Sequence, residues 1–256
     1  MKFFCIVLLV FLNSLVYQET IAQNTILENK QIHQVVSKRH ITTHQLWDEL
    51  LQKHVSDEGK VNYKSFKSDY EKLQDYLYVL NLFYSNNNFH SLLKEEKLAF
   101  WINAYNAMTV DLILRHYPIK SIKDIKNPWE QRFWKFGNTW FSLNDIEHTI
   151  LRKMNEPRIH FAIVCASNSC PKLQNTAYTD KKLDDHLTRV TKEFLADKSK
   201  NELTDNNLKL SKIFKWFKQD FENEGSLIDF LNRYSDIIIL KDAKKSFKDY
   251  NWNLNE

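Results

Sequence analysis

Residues 98–114, Leu98-Ala99-Phe100-Trp101-Ile102-Asn103-Ala104-Tyr105-Asn106-Ala107-Met108-Thr109-Val110-Asp111-Leu112-Ile113-Leu114, are apolar almost all the way round a helical wheel. A helix of that kind is buried on most sides, so it forms the centre about which the other elements pack. The helical pattern starts near Ser91 and stops at His116-Tyr117-Pro118, because proline drives its predecessor out of the helical region. Asn103 and Asn106 lie three apart, on nearly one face. A buried amide must find hydrogen-bond partners or cost a few kcal/mol. These two tie the helix to loop backbone, or else present an amide to a substrate carbonyl or oxyanion.

Upstream, Thr43 is placed as the N-cap of a helix carrying Leu46, Trp47, Leu50, Leu51 and Val55. Asp57-Glu58-Gly59-Lys60 reads as a turn and Val61-Asn62-Tyr63 as an extended piece. Apolar residues at threes and fours predict a second helix over 64–83. Downstream, Phe133 to Ser142 alternates about Gly137-Asn138, a hairpin signal. Ser142 or Asn144 then caps a helix with Ile146, Ile150 and Leu151 inside. Ile159 to Cys165 is a β-branched apolar run of strand length that opens into the polar loop Ala166 to Pro171. Further helices are predicted over 179–194 and 226–233, strands at Leu208 to Ser211 and Ile237 to Leu240, and a helical start at Ile213. Without regular β–α alternation, the fold class is α+β, one mainly helical domain around a small antiparallel sheet.

Met1 to Asn24 has the layout of a secretory signal peptide: Lys2, an apolar run from Phe3 to Val16, and a polar stretch closing at Ala22. The run is too short for a membrane span, and no later stretch is long and apolar enough for one. The expected organisation is therefore a signal peptide over 1–22, a polar tether over 23–42 and a domain over 43–256, secreted or periplasmic. A hydrophobic content of 43% supports a core, whereas three glycines argue against a glycine-cradled phosphate site. The net charge of +4 comes from interleaved lysines and acids, a solvated surface and not a nucleic-acid footprint. No cofactor is expected.

Cleavage would remove Cys5 and leave Cys165 and Cys170. Cys170 follows the expected strand and precedes Pro171, a setting for a partly exposed thiol. Strand alternation would place His160 on the side from which the loop delivers Cys170, with Cys165 pointing away. A thiol beside an imidazole can act as a nucleophile. In an exported chain the two cysteines can equally form a small disulfide, or simply pack. His148, His160, Cys165 and Cys170 have the atom types for zinc but not its spacing, so no metal is expected. Glu147 and His148 are adjacent and would point roughly 100° apart on a helix. Only one of them would then face a given site, with Glu147 a candidate to orient an imidazole.

Phe100 to Ala107, Asp145 to Arg152 and Pro157 to Pro171, with minor support from Val61-Asn62-Tyr63 and Tyr250 to Asn255, resemble the domain-of-unknown-function family 547. The resemblance implies a fold similar to cysteine peptidases or transglutaminases, with a Cys-His-Glu set: Cys170 as nucleophile, His160 as base and Glu147 as orienting acid, with His148 and Cys165 in reserve. In transglutaminase-like enzymes the nucleophile begins the central helix, where this chain carries Asn103.

Two functions follow. One is a thiol-dependent hydrolase or acyl transferase acting on a small-molecule or peptide substrate, with Asn103, Asn106 and His148 as binding groups. The other is a non-catalytic ligand- or protein-binding module with a Cys165–Cys170 disulfide and a surface of Trp129, Trp134 and Trp140.

Overall fold

The helix that dominates the sequence dominates the structure. In the computed structural model, which describes residues 43–86 and 89–256, every residue from Leu98 to Leu114 is buried. In chain order the helices are α1 (Gln45–His54), α2 (Tyr63–Phe66), α3 (Tyr70–Tyr84), α4 (Lys94–His116), α5 (Leu183–Ala196), α6 (Ile213–Trp216), α7 (Lys218–Phe221) and α8 (Leu227–Tyr234). The strands are β1 (Trp134–Phe136), β2 (Thr139–Phe141), β3 (Glu202–Leu203), β4 (Asn207–Leu210) and β5 (Lys244–Phe247). β1 and β2 form the predicted hairpin, with Gly137 left-handed at its turn. In place of one antiparallel sheet there is this hairpin and a separate sheet ordered β3-β4-β5, in which β4 and β5 run parallel. The proposed signal peptide and tether lie outside the described residues; Thr43–Glu256 forms one compact unit.

Glu96 caps α4 by accepting from the Leu93 N–H at 2.7 Å. Near its other end the buried Asp111 accepts from Tyr70, Gln74, Arg115 and the Trp134 indole, all at 2.7–2.9 Å. Four donors make a buried carboxylate tolerable, and they tie α3 and β1 to α4. The expected helix over 64–83 is divided between α2 and α3, because Asp69 is drawn to Lys53 and His54 of α1. Thr43 does not cap α1, which begins after His44 with no side-chain cap. Ser226 does cap α8, through a reciprocal pair with Asp229.

Two expected strands are absent. At Ile237 to Leu240 the Asn232 side chain holds both the N–H and the C=O of Ile239, at 2.7 and 3.0 Å, leaving Ile238 82% exposed. β5 takes the sheet position instead. Ile159 to Cys165 is likewise no strand. Pro157–Phe161 is a tight helical turn started by Pro157 and capped by the Glu156 carboxylate. Beyond it Asn106 donates to the Ala162 carbonyl and accepts from the Val164 N–H, both at 2.9 Å. One side-chain amide thus supplies the bonds a neighbouring strand would have made.

The main core surrounds α4. A smaller one gathers α5, β4, α7 and α8 around Phe161. The segment 159–164 gives Phe161 to the second core and its aliphatic residues to the first, which leaves His160 at the seam.

Gly59 sits left-handed (φ +76°) in the turn after α1, where an added Cβ would lie 2.6 Å from Lys172 Cβ and 2.8 Å from its Cα. Gly59→Ala combines left-handed strain with overlap against backbone, and is expected to cost about 2 kcal/mol in urea unfolding.

Candidate functional site

A cavity of about 280 Å³ opens at the seam between the two cores. Its polar side is formed by Glu147, His148, His160, Cys165 and Cys170, four short segments apart in the chain but together here. Its aromatic side is formed by Trp129, Trp216, Phe217, Tyr250 and Trp252. The last two arrive on a C-terminal strap that is bridged to the loop at Ser167 through Leu254 and to Ser121 through Asn253.

His160 reaches the cavity from the tight turn, not from a strand, so the alternation argument that turned Cys165 away does not apply: both sulfurs line the cavity. Its ring stacks on Phe217 with centroids 4.0 Å apart. Its Nε2 lies 2.8 Å from Asp220 Oδ2. Asp220 also accepts two bonds from Arg152, Nε at 2.6 Å and Nη2 at 2.8 Å, a bidentate clamp. Burial would raise the Asp220 carboxyl, but the bonds from Arg152 and His160 outweigh it and hold the group well below the usual carboxylate range. Burial lowers His160, and Asp220 offsets part of that shift. The imidazole is thus oriented by a fixed carboxylate.

Glu147 is not the group that orients His160. Residues Asp145–Ile150 form a wide π-helical turn, so Glu147 and His148 both line the cavity, in contrast to the divergence of an ordinary helix. Glu147 accepts from the Tyr105 hydroxyl at 3.0 Å. Burial, offset in part by Tyr105 and Arg152, pushes its carboxyl up to about 7. His148 Nδ1 lies 3.0 Å from Arg152 Nη1, so it accepts from the guanidinium, and burial together with that cation lowers it. The Asn103 amide is engaged with the Tyr178 backbone at both ends, at 2.8 and 3.0 Å, as Asn106 is with 162–164; neither lines the cavity.

The raised Glu147 carboxyl has a measurable consequence. The folded chain keeps this proton up to about pH 7, whereas an unfolded chain releases it near 4.5, so the native state binds more protons in between. Stability is therefore full below the lower value and falls as pH rises through the window. Glu147→Gln lacks this loss: relative to the wild type it should gain about 3 kcal/mol between pH 4 and pH 8, read from urea midpoints.

Cys165 and Cys170 are joined by a disulfide. Ala166 between them is left-handed (φ 55°), a backbone seldom held by a residue with a Cβ. Among the described residues no group of three or more His, Cys, Asp or Glu is placed to hold a metal ion, and no helix is long and apolar enough to cross a membrane. The three tryptophans expected to share a surface are separated. Trp129 lines the cavity, Trp134 is buried on Asp111, and Trp140 is exposed on the hairpin.

Sequence reading did not find Asp220 or Arg152, the pair that holds His160, nor the roles of Tyr105 and Trp216. Asp220 lies 60 residues beyond His160, on a short helix whose charges resemble any solvated face.

Fold and site together define an α+β domain in which His160, held by Asp220, lies with the raised Glu147 carboxyl and a cysteine pair around one aromatic-walled cavity. Residues 89–195 match the family model described as "Protein of unknown function, DUF547". The match includes α4, the π turn, His160 and both cysteines. Asp220 and the strap residues lie beyond it. No curated protein and no solved structure matches the chain.

Proposed function

We propose that the cavity is the active site of a thiol-dependent hydrolase or acyl transferase, acting outside the cytoplasm on an amide or ester of a small molecule or peptide. The observation that carries this reading is the His160–Asp220 pair, clamped by Arg152, whose imidazole lines the same cavity as Cys170. In the dithiol form, His160 takes the Cys170 proton and Asp220 holds the resulting imidazolium. The sulfur attacks the carbonyl carbon, the imidazolium returns its proton to the leaving amine or alcohol, and water or another acceptor releases the acyl group. Asn103 and Asn106 are engaged with backbone, so oxyanion stabilisation falls to groups on the cavity wall. Glu147, protonated over much of the range below pH 7, and the Tyr250 hydroxyl have the right chemistry. The likeness to cysteine peptidases and transglutaminases is part of this proposal, as is export, for which the leader pattern of Met1 to Ala22 is the support.

The disulfide favours a second reading, a bridged, non-catalytic module that binds ligand against the aromatic side. The two are separated by incubating reduced protein with an activated aryl ester and measuring intact mass and peptide maps. The catalytic reading expects one acyl group on Cys170, formed at least about 100-fold more slowly in His160→Ala. The binding-module reading expects no adduct.

A further inference from the structure

Cys165 and Cys170 differ in their surroundings more than a packing bridge requires. Cys170 is 5% exposed, and three donors reach its sulfur: the Cys165 N–H at 2.9 Å, which serves it alone, and the Tyr250 and Ser167 hydroxyls at 3.3 and 3.4 Å, each of which also lies 3.3 Å from the Cys165 sulfur. Cys165 is only partly buried and opens to the cavity. Sulfur in a closed bridge is a weak acceptor, so three donors do little for it. For a thiolate the same donors make charge-assisted bonds and lower its basicity. Tyr250 lies 3.3 Å from each sulfur, so its single proton can follow whichever sulfur carries charge. Burial raises its own pKa and keeps it a donor.

We infer that the Cys165–Cys170 bond is a redox-active disulfide that exchanges with a small dithiol entering the cavity, Cys165 being the sulfur attacked and Cys170 the leaving thiolate. The incoming thiolate forms a bond to Cys165 Sγ as the Cys165–Cys170 bond breaks, and the electron pair passes to Cys170 Sγ. The second thiolate of the dithiol then attacks its own sulfur in the mixed disulfide. This releases Cys165 as a thiolate, which takes a proton, and leaves the reagent as a cyclic disulfide. Two electrons pass from reagent to protein. A stabilised leaving thiolate departs faster, which assigns the direction of attack. The volume of the cavity suits a reagent of that size and not a folded protein. The consequence that oxidation caps the nucleophile rests on the hydrolase reading; the exchange itself does not.

The folded full-length chain is equilibrated with reduced and oxidised dithiothreitol at graded ratios, acid-quenched, alkylated and weighed, with near-ultraviolet circular dichroism as the check on folding. Two thiols should appear together while the fold persists. Glutathione, a single thiol, should leave its mixed disulfide on the Cys165 peptide. Tyr250→Phe should slow the first step about threefold, the effect of raising the leaving group by about one unit. The inference is overturned if the bridge opens only on unfolding, or if glutathione is found on Cys170. Exchange as described, with no acylation of reduced Cys170 by the aryl ester, would remove the hydrolase reading and leave this one standing.

Discussion

Asp220→Ala is expected to destabilise the domain by about 3 kcal/mol at pH 7, measured by urea unfolding, and to suppress the reactivity of Cys170 in the reduced protein. The carboxylate is shared by the Arg152 guanidinium and the His160 ring. Its loss takes away the acceptor that the two groups share, leaving Arg152 its bond to His148, and breaking a buried pair on one side typically costs about 3–5 kcal/mol. Partial exposure of Arg152 and Asp220 puts the expectation at the lower end. Asp220→Asn separates the two effects. It keeps the volume and one acceptor, so it should cost less stability than alanine. It cannot hold an imidazolium, so it should lose nearly as much reactivity. Because Asp220 is held far below the usual carboxylate range, the pair should persist on acidification to well below pH 4.

Asn106→Ala is expected to cost about 4 kcal/mol. It orphans the Ala162 carbonyl and the Val164 N–H in the core. Each unsatisfied buried group costs about 1–3 kcal/mol, before the loss of packing is added. Asn103→Ala orphans the Tyr178 N–H and C=O in the same way, and should cost a similar amount. The two variants should part in the reactivity of reduced Cys170. Asn106 clasps the segment that carries His160 and leads to Cys165, whereas Tyr178 lies away from the cavity. At a temperature where both variants remain folded, Asn106→Ala should lose reactivity and Asn103→Ala should keep it. Equal losses would mean that the clasp does not position the site.

Asn106 also marks the boundary of what can be read from the chain. Leu98 to Leu114 announces a buried helix because its periodicity is local, and the Trp134 to Phe141 hairpin announces itself through Gly137-Asn138 for the same reason. Ile159 to Cys165 has the composition of a strand, but composition expresses only that the segment is buried and β-branched. Its conformation is decided by an amide 56 residues earlier that satisfies its backbone from the side. Ile237 to Leu240 was misleading in the same way, with Asn232 as the intruder. At the site, cysteine and histidine stand out by residue type, so Cys170, His160, Glu147 and His148 were legible as candidates and do meet around one cavity. Their pairing was not. Asp220 and Arg152 are charged residues on helical turns among many such residues, and only folding brings them to His160. The π turn that lets Glu147 and His148 face one cavity has no counterpart in a helical wheel.

The most direct test of the account is the alkylation rate of Cys170 as a function of pH, followed by peptide mapping on prereduced wild type and on His160→Ala and Asp220→Asn. The account predicts for Cys170 an apparent pKa well below the roughly 8.5 of a free thiol, displaced upward in both variants while Cys165 is little affected. A Cys170 that titrates as a free thiol in all three proteins would contradict it, and would leave the cavity as a ligand-binding site whose cysteines serve only as a bridge.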